Sequence, residues 1–158
     1  MTFIVDGTSG LTFPNSTVQA SAGTVLQVVQ STYTTSTSNS TGTYADTGLT
    51  ASITPKFSTS KILVIANQMG VRKINDTGVN FNLCRNGTNI NNFVTFVAGT
   101  SSTSEMAVGS CVFTYLDSPA TTSTVTYKTQ FASRTAPSVV NVQYLTATST
   151  ITLMEIAA

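Results

Sequence analysis

The sequence predicts an all-β protein: an antiparallel β-sandwich, jelly-roll-like, with a short N-terminal attachment segment. Three observations carry that expectation. Tyr115 to Phe131 ends one strand, breaks at Asp117 and Pro119, and resumes in strict alternation. Val125, Tyr127, Thr129 and Phe131 point one way; Thr124, Thr126, Lys128 and Gln130 point the other. A period of two marks a half-buried strand. The second observation is composition. Nearly a third of the chain is Ser or Thr, and only 8% is charged, against roughly 25% in ordinary soluble domains. Thr is β-branched yet polar, so outer strand faces paved with Thr are expected. The third is rhythm. Roughly nine or ten strand-like runs recur at about 8–12-residue spacing, without helical periodicity or a fixed repeat, as in a sandwich.

Residues 1–23 form the attachment segment and 24–158 the sandwich domain. Within the first, Gly10-Leu-Thr-Phe-Pro-Asn-Ser-Thr-Val-Gln19 reads as a small hairpin. Leu11 and Phe13 share a face, and Pro14-Asn15-Ser16 makes the turn before Val18. Such a hairpin is too small to fold alone and must pack on something.

Thr24–Tyr33 opens the domain, with Val25, Leu26, Val28 and Val29 apolar on both faces, as a central or interface strand would be. Residues 34–43 read as an exposed Ser/Thr/Asn loop. Gly48–Pro55 holds a short strand. Lys61–Ala66 is the most apolar run and the best core candidate. Val79, Phe81 and Leu83 alternate with Asn80, Asn82 and Cys84, and Asn86-Gly87 then signals a tight hairpin. The return strand is Asn89–Val97. Met106–Tyr115, Thr124–Phe131, Val139–Tyr144 and Thr150–Ile156 complete the set. Cys84 and Cys111 lie in separate strands; burial as small hydrophobes is the default, and a disulfide stays open.

The chemistry-bearing residues are few. Histidine is absent, which removes His-based nucleophile systems and His-based zinc sites. The six carboxylates are Asp6, Asp46, Asp76, Glu105, Asp117 and Glu155. Asp46 and Asp76 precede Thr-Gly and read as turn residues, and Asp117 before Ser-Pro as a loop-bonding side chain. Glu105 starts a strand, and Glu155 reads as a charge guarding an edge strand. No phosphate loop, dinucleotide fingerprint or calcium loop is present, so no enzyme activity, cofactor or metal is expected. The net charge is +1, and Arg72-Lys73, the only adjacent cations, read as a solvated loop pair. No basic stripe points to nucleic acid. No apolar run approaches a membrane span, and the N-terminus does not read as a signal peptide, so no membrane insertion is expected. Tyr33, Tyr44, Phe93 and Phe96 are the aromatics that can stack on a ligand, with core packing as the alternative for each.

Two stretches, Gly10–Gln19 and Tyr115–Phe131, resemble virion proteins of tailed bacteriophages, especially phages of marine bacteria and cyanobacteria. The chain end Thr150–Ile156 is similar to chain ends in such proteins. In the N-terminal motif Asn15-Ser16 stands where the family pattern has Asp-Gly. The resemblance implies a non-enzymatic virion protein made in the bacterial cytoplasm and assembled into the particle. It implies a homotrimer, with Leu11, Phe13, Pro14 and Val18 in the segment that grips another virion protein. The leading expectation is an adhesin at the tip of a tail fibre or spike. It would bind a host surface glycan or protein through loops 34–43, 99–105 and 132–138. Next comes a decoration protein on the phage head, and a distant third is a glycan-cleaving spike.

Overall fold

The computed structural model describes residues 4–6, 10–12, 18–19 and 24–158. Three short strands, β1 (Ile4–Asp6), β2 (Gly10–Thr12) and β3 (Val18–Gln19), form a small antiparallel sheet in that order. Leu11 sits opposite Gln19 and Val5, and Thr12 opposite Val18 and Ile4. The expected hairpin pairing is therefore present; Phe13 and Pro14 lie outside the described residues.

Ten strands build the rest: β4 (Val25–Tyr33), β5 (Thr37–Asn39), β6 (Ala45–Ile53), β7 (Lys61–Lys73), β8 (Thr77–Arg85), β9 (Thr88–Thr100), β10 (Met106–Asp117), β11 (Val125–Ser133), β12 (Val140–Val142) and β13 (Ser149–Ile156). They make two antiparallel sheets packed face to face, a β-sandwich. One sheet runs β4-β13-β7-β10, with β12 and β5 continuing past the end of β13. The other runs β6-β11-β8-β9. Among the described residues the helical content is one 3-10 turn, Tyr144–Thr146.

The alternation in β11 is realised as expected. Val125, Tyr127, Thr129 and Phe131 are buried, and Thr126, Lys128 and Gln130 lie on the outer side. Facing them across the core are Ile62, Val64 and Ala66 of β7 and Ile151 and Leu153 of β13. Asn86 and Gly87 both take positive φ, 49° and 85°, which matches the twist of the two strands they join.

Two expectations need correction, and one feature goes beyond them. The 34–43 tract is not all loop. It contains β5, and buried Asn39 donates to the carbonyls of Thr43 and Phe131 while its oxygen accepts from Thr41 N at 2.8 Å. The strand expected at Val139–Tyr144 ends at Val142, because Gln143 turns left-handed. Hydroxyls are also not confined to the outside. Thr47, Thr129, Gln68, Ser149 and Gln143 are fully buried and form a polar chain from one sheet to the other. Thr47 and Thr129 hydroxyls meet at 2.6 Å, Thr129 donates to Gln68 Oε1, and Gln68 donates to Ser149 Oγ. The Gln143 carboxamide completes it, its nitrogen on the carbonyls of Val142 and Thr47. A buried polar chain is tolerated only when each member has a partner, and it then favours one relative placement of the sheets.

Candidate functional site

The strand directions give the sandwich two distinct ends. At one end, Ala157 N donates to Thr24 O, Gln27 donates to Thr54 O and Lys56 Nζ donates to Leu26 O. The chain thus enters the sandwich at Thr24 beside loop 54–60. The β8–β9 hairpin and loop 118–124 lie at this same end, where Asn86 N donates to Thr126 O. We call it the base.

At the other end, the tip, four connections are tied together. Ser133 N donates to Thr41 O, Ile74 N to Val139 O, and Arg134 N to Gly78 O. Lys73 Nζ donates to Ser102 O at 2.6 Å and to Asn75 O at 2.9 Å. The three loops expected to make contact, 34–43, 99–105 and 132–138, therefore lie at one end of the fold, remote from the entry of the chain.

The four aromatics separate. Phe93 stacks on Phe113 with centroids 4.4 Å apart and meets Tyr115 edge-on, so it serves the core. Tyr33 also packs against the core, its ring lying where a side chain on Gly48 would stand. Tyr44 is half-buried, and burial pushes its phenol up from its ordinary value. Phe96 alone of the four stays largely exposed, at 47%. It lies against Gly78 and Gly99, where any Cβ would overlap the ring. The Arg134 guanidinium sits 4.2 Å from its centroid. A cation over an aromatic face is worth about 0.5–1 kcal/mol at exposed sites. The tip therefore presents a guanidinium–aromatic pair amid hydroxyl-rich loops. Arg134 was not singled out from the sequence, where nothing marks it as near Phe96.

Arg72 and Lys73 are not a solvated loop pair; they end β7 and hold a tip loop. Lys73 is fully buried and bonded to two carbonyls, as above. Arg72 pairs with Glu105 at 2.6 Å and covers the Tyr144 ring at 4.1 Å. The Glu105 carboxyl is held below its ordinary value by its bond to Arg72. Together the two cations pin loop 101–105.

Asp117, Asp46 and Glu155 are likewise engaged in internal bonds. Asp117 is not a loop-bonding residue. From the end of β10 it accepts Arg85 Nη1 at 2.8 and 3.0 Å and the Tyr127 hydroxyl at 2.6 Å. It thereby ties one sheet to the other. Burial first, and the bond to Asp117 second, push the Tyr127 phenol far above its ordinary value. Asp46 is not in a turn but in β6, where Lys128 Nζ and Gln130 Nε2 each donate to it at 2.7 Å. Beside this pair is a shallow pocket of about 220 Å³ lined by Asp46, Gly48, Leu49, Thr50 and Lys128. Both carboxylate oxygens are already engaged, and the Thr50 hydroxyl in the lining donates to Tyr127 O. Among the described residues no group of three or more Cys, Asp and Glu side chains is placed to hold a metal ion. Both thiols are free, and burial pushes each above its ordinary value.

Glu155 does not guard an edge, because β13 lies between β4 and β7. It is fully buried at the base, where Gln27 Nε2 and, at 2.7 Å, Lys56 N donate to it. Burial pushes this carboxyl up, but donors from Gln27 and the amides of Lys56 and Phe57 outweigh burial, so it sits below its ordinary value. A lowered carboxyl contributes stability above the unfolded value, and that contribution is lost as pH falls toward the folded value. The melting temperature is therefore expected to fall below about pH 4.3, the ordinary Glu value. Glu155→Gln should show a shallower fall over that window. Parallel melting curves that differ only by a constant would show that Glu155 does not drive it.

No protein-family model matches the chain, and no curated protein sequence matches it. Among the described residues no helix is long and apolar enough to cross a membrane.

Proposed function

We propose that this chain is a non-enzymatic virion protein of a tailed bacteriophage, a trimeric adhesin at the tip of a tail fibre or spike. One observation carries the reading: the two ends of the sandwich are chemically different and oppositely placed. The chain enters the sandwich at the base, and residues 1–23, which precede that entry in sequence, are assigned to hold another virion protein. The loops expected to contact a host glycan or protein converge at the tip, where binding residues are commonly displayed on a rigid scaffold. Phe96 and Arg134 are the tip residues best suited to a sugar, offering an apolar edge and a fixed charge.

The strand orders β4-β13-β7-β10 and β6-β11-β8-β9 support the jelly-roll form of the sandwich, an architecture used by viral and lectin domains alike. The absence of histidine and the engagement of Asp46, Glu105, Asp117 and Glu155 in internal bonds support a binding role over catalysis.

The test is electron microscopy of particles of the encoding phage, labelled with antibody against this chain. Label at the tail tip is the expected result. Label spread over the head would replace the adhesin with a capsid decoration protein. Particles without label, beside a positive control for a known virion protein, would end the virion reading. Shortening of a host polysaccharide on incubation would revive the glycan-cleaving spike.

A further inference from the structure

The outer face of the β4-β13-β7-β10 sheet carries no charge and, toward the base, is apolar across all four strands, where a solvent face should be polar. Register aligns Val28, Met154, Leu63 and Leu116 into one row across all four strands. Two further rows continue toward the tip. The nearer carries Gln30, Thr152, Ile65 and Thr114, and the farther Thr32, Thr150, Asn67 and Val112. Val28, Val112 and Leu116 are 56, 59 and 49% exposed. Between Lys61 at the base and Arg72 at the tip, these rows contain no charged side chain.

We infer that this face is covered by another copy of the same chain. The inference rests on the proposed homotrimer and supplies its interface. Four strands at about 4.8 Å and three rows about 6.8 Å apart give a footprint of roughly 400 Å². The accessible surface of a pleated face exceeds its footprint, so the rows supply the centre of an interface whose standard size is about 800 Å² per partner.

The chemistry selects a copy over a foreign partner. With no charge on the face, a charged partner finds no counter-ion. Its polar members, Gln30, Thr32, Asn67, Thr114, Thr150 and Thr152, each donate and accept, so a symmetry-related copy satisfies them as well as water does. The whole chain carries a net charge of +1, too little to keep such a patch soluble by repulsion. An identical chain is the one partner always present wherever this chain is made.

The experiment compares the full chain with Val28→Lys/Val112→Lys by light scattering at about 10 µM, a concentration that populates any oligomer of micromolar affinity or tighter. Both positions are exposed, so the lysines are solvated in a folded monomer. Thr103→Lys, in an exposed tip loop, serves as the control. The expected result is an oligomeric wild type and control. The double variant should be folded by circular dichroism and weakened in association by at least about 30-fold, as for loss of an interface hot spot. Should all three proteins be oligomeric to the same extent, this face is overturned as the interface while the homotrimer survives. A monomeric wild type overturns both, and antibody labelling of particles tests the rest of the adhesin reading independently.

Discussion

Replacing Asp117 by Ala is expected to destabilise the protein by about 3 kcal/mol, from breaking a half-buried ion pair and leaving a buried hydroxyl without its acceptor. The physical reason lies in what remains. Arg85 loses both of its bonds to the carboxylate, and the Tyr127 hydroxyl, on a fully buried side chain, loses its acceptor. Because Asp117 belongs to one sheet and Arg85 and Tyr127 to the other, the loss falls on the contact between layers. In thermal melts of a chain this size the effect should appear as a drop of roughly 6–12 °C. Asp117→Asn, which keeps an acceptor for Tyr127 but removes the charge, should fall between. A loss under about 1 kcal/mol for Asp117→Ala would mean that the triad behaves as an exposed pair.

Gly70→Ala should have an effect of similar size for a different reason. Gly70 takes φ 61°, and a Cβ there would stand 2.4 Å from Tyr144 N and 2.9 Å from Tyr144 O. A left-handed conformation costs Ala roughly 1–2 kcal/mol, and overpacking against backbone adds about 1–3 kcal/mol. The expected total is about 3 kcal/mol, measured by urea unfolding. Gly87→Ala provides the contrast. Its φ is 85°, but nothing lies within 4 Å of the added carbon, so it should show the conformational cost alone. Equal losses at the two positions would remove close packing of the Gln143–Tyr144 backbone as the cause at Gly70.

Gly70 also explains why Lys73 was misread from the sequence. Along β7, Ile62, Val64, Ala66 and Gln68 point inward. Continued without interruption, that alternation puts Val71 and Lys73 on the outside. The irregularity at Gly70 inverts it, so Val71 and Lys73 are buried and Arg72 faces out. A glycine inside a strand is the available signal, since it often marks a bulge or a close approach. It does not reveal which carbonyls await the ammonium. Those come from Asn75 and Ser102, the second far along the chain.

Other local features were legible in full. The alternation of β11, the apolar run opening β7 and the Asn86-Gly87 turn depend on near neighbours in the chain, and each is where the residues place it. The dual apolar character of Thr24–Tyr33 was also readable, but not its reason. β4 is a sheet margin, bonded to β13 alone. Val28 becomes part of a patch only because β13 and β7 bring Met154 and Leu63 beside it.

The sequence by itself thus determined the class of structure, the strands with strong alternation, the tight hairpin and the scarcity of groups for chemistry. These follow from periodicity, turn stereochemistry and composition, which act over a few residues. Only the tertiary structure decided that the buried hydroxyls form one chain between the sheets and that Asp117 and Glu155 are internal bonds. It alone gathered Phe96 and Arg134 at the tip and produced an uncharged outer face four strands wide. Each of those depends on register between strands distant in sequence, and a shift of one residue would turn every one of these side chains to the opposite face.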